Sequence, residues 1–295
     1  MAKLLNMSRL GESLIVFLAL LSLAAPAGAA DFGHPEPVHI EGYDDHAMEP
    51  FLTRDGRILL FNNRNDPKEN TDLHWAERIT PVHFRYRGRI EGANTNVLEG
   101  VPSMDGDGLV YFVSLRSYRE SLSTIYRGKF AEGRVTDVQL VEGLSRKQLG
   151  QVNFDAEISA DGRYLYAVDG TFSGGPIPKS ADIFVARRVG DRFERLANSA
   201  EIMAKINSSA LEYAPAISTD ELELFFTRMT GALFWRKLAV LRATRRSRDL
   251  PFEEPKVITA ISGFVEAPTV SSDGNSLYYH KKIDGKHRIF RVTRP

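Results

Sequence analysis

The sequence predicts an all-β protein, a five-bladed β-propeller of four-stranded antiparallel blades, the last blade completed by an N-terminal strand. Three observations predict it. One short stretch recurs five times at a spacing near fifty residues, and two further β-patterned runs follow each of the first four copies. The fifth copy ends one strand short, while an unassigned strand stands ahead of the first. A period of about fifty residues carrying four short strands marks radially stacked blades.

The recurring stretch is "EPFLTRDGRILLFNN" (49–63), "VPSMDGDGLVYFVS" (101–114), "DAEISADGRYLYAVD" (155–169), "APAISTDELELFFT" (214–227) and "APTVSSDGNSLYYHK" (267–281). Its turn aspartates, Asp55, Asp107, Asp161, Asp220 and Asp273, lie 52, 54, 59 and 53 residues apart. Pro50, Pro102, Pro215 and Pro268 each stand five residues earlier; the third copy has Ala156 there. A proline opening a strand needs no ladder donor, which predicts a short first strand. Asp-Gly then closes a tight hairpin, because glycine accepts the positive φ of such turns; the fourth copy has Asp220-Glu221 instead. The second strand ("ILLF", "LVYFV", "YLYAV", "LELFF", "SLYY") is apolar on both faces and must be covered on both.

Third strands are predicted over 72–79, 123–130, 182–189, 238–245 and 287–294, with fourth strands over 81–90, 135–143, 193–198 and 254–259. Blades therefore span about 43–90, 97–143, 153–198, 212–259 and 265–295, the last joined by 35–42 ("PEPVHIEG"). That splice removes the open edges that invite aggregation. The long 59-residue interval contains "NSAEIMAKINSSALEY" (198–213), where Ser199 suits an N-cap and Ile202, Met203 and Ile206 share one helical face, predicting a short helix.

Residues 1–30 read as a secretory signal peptide. Lys3 and Arg9 precede an apolar run over 14–25, and "PAGAA" offers cleavage near Ala29 or Ala30. The expected location is periplasmic or secreted, with no membrane span after signal removal. The chain has no cysteine, which excludes thiolate catalysis, cysteine metal sites and disulfides. With 38 basic against 38 acidic side chains it carries no electrostatic footprint for nucleic acid. The remaining residues, about 265, form one domain, expected to act as a monomer without cofactor or metal.

"SADGRYLY" (159–166) and "SSDGNSLYY" (271–279), each followed by a strand such as "DIFVARR", resemble the WD40-like β-propeller repeat of TolB-type exported proteins. The likeness covers nearly the whole chain after residue 30 and implies the fold, not a ligand. The Gly-His and Trp-Asp signatures of true WD40 repeats are absent, and TolB itself is larger, with an extra N-terminal domain.

Propeller topology sends the second-to-third loops and the approaches to the first strands to one face. Residues placed there for ligand binding are Glu49, Asn62, Asn63, Arg116, Asp155, Asp169, Glu212, Arg228, Trp235, Glu266, His280 and Lys281. They suit a polar ligand, a peptide, a glycan or a protein partner. Polar loops are common on rigid scaffolds whether or not they bind, and inner-strand acids also cap backbone groups. Glu49-Pro50 also resembles the acid-proline pair in the first blade of arabinanase- and fructosidase-like five-bladed enzymes, although those use Asp where this chain has Glu. That resemblance implies an alternative, a glycoside hydrolase using Glu49 with Asp155 or Glu212 across the channel. Because the proline recurs in four copies, strand geometry explains it without chemistry, and the preferred expectation is a binding or scaffold module. The seven histidines show no metal-ligand spacing. An exposed Phe234-Trp235 pair is expected to stack on a sugar or a partner, and Trp75 to pack between blades.

Overall fold

The computed structural model describes residues 31–65, 68, 70–231 and 235–295. The signal-peptide segment and Phe234 lie outside them. Among the described residues no helix is long and apolar enough to cross a membrane.

Two short strands come first, β1 (Gly33–Pro37) and β2 (His39–Glu41). The first run is β3 (Met48–Leu52), β4 (Ile58–Asn62), β5 (Leu73–Thr80) and β6 (His83–Arg89). The second is β7 (Glu99–Met104), β8 (Leu109–Ser114), β9 (Ile125–Ala131) and β10 (Arg134–Leu140), with a single helical turn, α1 (Tyr118–Ser121), after β8. The third comprises β11 (Gln151–Ile158), β12 (Tyr164–Thr171), β13 (Ser180–Val189) and β14 (Arg192–Arg195), followed by α2 (Ser199–Ile202). Next come β15 (Leu211–Ile217), β16 (Glu223–Thr230), β17 (Lys237–Thr244) and β18 (Lys256–Val257), then β19 (Val265–Val270), β20 (Ser276–Ile283) and β21 (Lys286–Thr293).

Within each run successive strands pair antiparallel. The third and fourth runs are joined into one eight-stranded sheet by a single parallel pair, Ala181 with Leu211. Among the described residues five apolar clusters lie between successive runs. One joins Phe51 and Leu60 to Val110 and Phe112, and another joins Leu59, Phe61 and Phe84 back to Tyr278 and Ile289 of the last sheet. The fold is a β-propeller, an arrangement in which both faces of every sheet are covered. Trp75 meets Phe130 of the second run edge-on at 6.0 Å, the expected packing between sheets.

Each hairpin follows one rule. Thr53, Ser159, Ser218 and Ser271 donate from the hydroxyl to Asp55, Asp161, Asp220 and Asp273 two residues on (2.5–2.7 Å), and accept the N–H five residues on. In the second run Asp105 stands in the hydroxyl position and accepts from Asp107 and Leu109. Glu221 takes the glycine position of the fourth hairpin with φ +62°.

Two expectations need correction. The segment 35–42 does not act as one strand. β1 pairs with β21 and completes the last sheet, while β2 turns away and pairs parallel with β6 of the first. The predicted helix after residue 198 is one turn, and Ser199 is not its cap; its hydroxyl accepts the N–H of Val185 instead. Ile202, Met203 and Ile206 are buried as their spacing requires.

Candidate functional site

The first strands line the axis, and each carries a bulge at the recurring proline or, in the third run, just before Ala156. Pairing shifts between Met48 and Phe51, Gly100 and Ser103, Asn153 and Ala156, Tyr213 and Ala216, and Glu266 and Thr269. In four of these bulges the residue before proline adopts a left-handed backbone: Glu49 (φ +46°), Val101 (+55°), Ala214 (+49°) and Ala267 (+54°). A bulge frees one residue from the ladder, and its N–H must find another partner. The preceding second strand supplies it. Asn62 accepts from Val101 (3.0 Å), Thr227 from Ala267 (3.0 Å), and His280 Nδ1 from Glu49 (3.1 Å). Where that strand offers Val168, Asp155 accepts from Ala214 instead (3.3 Å).

This geometry turns Glu49, Asp155 and Glu266 toward one axial site with Tyr213 and His280. Glu49 is buried and accepts from Asn65 Nδ2 at 2.6 Å. Glu266 accepts from the Tyr213 hydroxyl, and its other oxygen lies 3.4 Å from His280 Nε2. Since His280 Nδ1 already accepts the Glu49 N–H, its ring proton sits on Nε2, aimed at Glu266.

Protonation divides the acids. Burial raises Asp155 well above the usual carboxylate range, and the neighbouring charges of Glu49 and Glu266 add to this against one backbone N–H. Burial also raises Glu49, opposed by His280 and Asn65. Burial works against the charge of Glu266 as well, but hydrogen bonds from His280 and Tyr213 hold it below the usual range. Burial and the charge of Glu266 raise the Tyr213 hydroxyl, which keeps its proton. The cluster therefore sets acids pushed toward the protonated form, Asp155 and Glu49, beside one held toward the ionised form, Glu266. Where Glu49, Asp155 and the ring of prolines enclose the axis, the free volume is about 20 Å³, room for one water-sized group.

Toward the hairpin end an internal ion pair links the first run to the third. Arg54 reaches across from the first run to Glu157 (2.8 Å) and the Ile158 carbonyl (2.7 Å), and Ser103 donates to the other Glu157 oxygen.

Four of the expected site residues, Glu49, Asp155, Glu266 and His280, thus meet at the axis. The others are spent on loops. Glu212 is fully buried and accepts from Ser208 and Arg228, and Glu99 repeats that arrangement with Thr95, Ser114 and Arg116. Asp169 pairs with Arg146 and Arg195. Asn63 accepts the N–H of Asp72, and Lys281 lies 5.8 Å from the Phe290 ring. Trp235 is 83% exposed, beside an outer groove described below. Asn65 joins the axial site through Glu49, and Tyr213, on the approach to a first strand, joins it through Glu266. His287 adjoins it, 5.4 Å from the His280 ring, and burial with its histidine neighbours pushes it down to about 4.

No family model matches this chain, and no curated protein matches it. Solved structures do. An endo-arabinase from Bacteroides thetaiotaomicron VPI-5482 aligns with TM-score 0.56 and 15% identity, over 88% of this chain and 98% of the other. A thermostable family-43 glycoside hydrolase gives 0.54 and 14%, over 87% and 91%. A protein assigned as TolB from Agrobacterium tumefaciens gives 0.50 and 13%, over 87% and 78%. At these identities the likeness establishes one thing, a β-propeller fold shared with glycoside hydrolases and TolB proteins.

Proposed function

We propose that this chain is an exported, five-bladed β-propeller, the eight-stranded sheet counting as two blades, that recognises a hydroxyl-rich ligand at its axial acids. The observation that carries this reading is the convergence of buried acids with opposed tendencies: burial pushes Asp155 toward its protonated form, while hydrogen bonds from His280 and Tyr213 hold Glu266 toward its ionised form. A donor acid beside an acceptor carboxylate matches a hydroxyl, which both donates and accepts. The narrow axis admits a single such group at its floor, with the rest of the ligand outside it. Exported location rests on the leader-like residues 1–30 and is checked by N-terminal sequencing of the mature protein.

The test is calorimetry against a panel of neutral oligosaccharides. Glu266→Gln should weaken binding by about tenfold to a hundredfold, because a hydrogen bond to a charged group contributes about 1.5–3 kcal/mol. Binding unaffected by Glu266→Gln would exclude the axial site. A second reading, glycoside hydrolysis with Glu49 and Asp155 as the acid pair, is favoured by their raised values. It requires new reducing ends from the wild type and none from Glu49→Gln. The small axial space that both acids line, about 20 Å³, supports recognition over hydrolysis.

A further inference from the structure

We propose that the outer edge of β17, at Leu238 and Val240, is a docking site where an extended acidic segment of a partner protein adds as a β-strand. The edge is open because its neighbour is short. β17 covers eight residues, whereas β18 covers two and pairs only with Leu241 and Arg242. Beyond β18, Ile258 donates to the Val240 carbonyl (3.0 Å) and Glu253 to that of Thr244 (2.7 Å). Main-chain groups alternate sides along a strand, so those of Leu238 face outward like those of Val240. Among the described residues, the N–H and C=O of Leu238 and the N–H of Val240 have no hydrogen-bond partner.

Two other runs close the same position with an asparagine, whereas the second and fifth resemble the fourth, with one N–H, of Val141 or Val38, donated to the carbonyl of Ile125 or Ile289. Leu73 of β5 is bracketed by Asn94, which accepts its N–H (2.7 Å) and donates to its carbonyl (2.9 Å). Asn207 does the same for Ile183 of β13, both at 2.9 Å. Pairing places Val240 at the equivalent point of the fourth run, and the segment 259–264 that follows β18 contains no asparagine. Unblunted strand edges are templates for another chain.

Two features specify the occupant. A groove of about 570 Å³ lies beside the open edge, with Leu238, Val257, Ile261 and Phe264 among its walls; Val257 and Phe264 are 53% and 45% exposed. Its charged lining residues, Arg236 and Lys237, are both basic, and Lys282 Nζ lies 5.9 Å from the Phe264 ring. A strand alternating apolar and acidic residues would turn one set into the groove and the other toward the basic rim, while its backbone completes Leu238 and Val240.

The probe is a fluorescein-labelled octapeptide of alternating Val and Glu, blocked at both ends, followed by anisotropy and amide hydrogen exchange. Expected results are saturable binding, with the amides of Leu238 and Val240 exchanging at least about tenfold more slowly in the complex. N-methylation of the alternate peptide amides should weaken binding about tenfold, as loss of edge hydrogen bonds requires. Lys237→Glu, at an exposed position, and Phe264→Ser should each weaken it while the melting curve stays in place, and a Val/Lys octapeptide should not bind. Any one of three results overturns the proposal: no binding at about 1 mM, binding indifferent to N-methylation, or protection elsewhere. A concentration-dependent dimer protecting the same two amides would also overturn it, by making a second copy the occupant.

Discussion

Asp155 sits where a carboxylate is least stable, buried among other acids and given one weak backbone donor. Its pKa in the folded chain is raised above the ordinary value, so the native state holds a proton that the unfolded state releases. The sign follows: the wild type loses stability as pH rises from near 3.8 through the raised value, and the full penalty stands above it. Asp155→Asn removes the charge but keeps an oxygen for the Ala214 N–H. It should stabilise the protein by about 0.5–2 kcal/mol at pH 7, with the gain vanishing near pH 4, read by thermal melts across pH. No gain at neutral pH would mean that Asp155 is not strained by burial. Glu49 and Asp155 were legible because a carboxylate beside a recurring strand start stands out in sequence. Their partners were not, since Tyr213 finds Glu266 53 positions later and the Glu49 N–H finds His280 231 positions away. Contacts across sheets leave no local pattern.

The bulge before the proline is the element that aims these side chains. It obliges Ala214 and Ala267, each with a Cβ, to take a conformation that costs an L-residue roughly 1–2 kcal/mol. Ala267→Gly removes that cost and gives back part of it as unfolded-chain entropy. It should raise stability by up to about 1 kcal/mol in urea unfolding, and a loss would show that the methyl's packing outweighs the strain. The strands were legible from their apolar runs and Asp-Gly turns, and the proline marked four of the five bulges without revealing them. The shortness of β18 was hidden, because 254–259 carries the same apolar pattern as the other fourth strands. On the Leu238 side the chain turns away just after β18, where Ile261 donates to the Ile258 carbonyl.

At the scale of the whole molecule the last sheet is finished by the first strand. Phe32, just ahead of β1, is buried against Phe225 at 5.7 Å with the Arg294 guanidinium 5.0 Å from its ring. Phe32→Ala should cost about 3–5 kcal/mol and lower Tm by about 10 °C, whereas a ring indifferent to β1 would melt unchanged. That closure was legible in the missing strand of the fifth repeat, but its division was not: β1 goes to one sheet and β2 to the next, so residues 33–41 bridge the seam.

Gly33 stands directly opposite Thr293. Two points 260 residues apart along the covalent chain are therefore cross-strand neighbours, and the segment between them comes within one short turn of being a loop. A short peptide joining them, with a new opening cut at another hairpin, would yield a permuted polypeptide with every sheet intact. The order in which the blades are written is then a matter of descent, and their order around the axis a matter of physics.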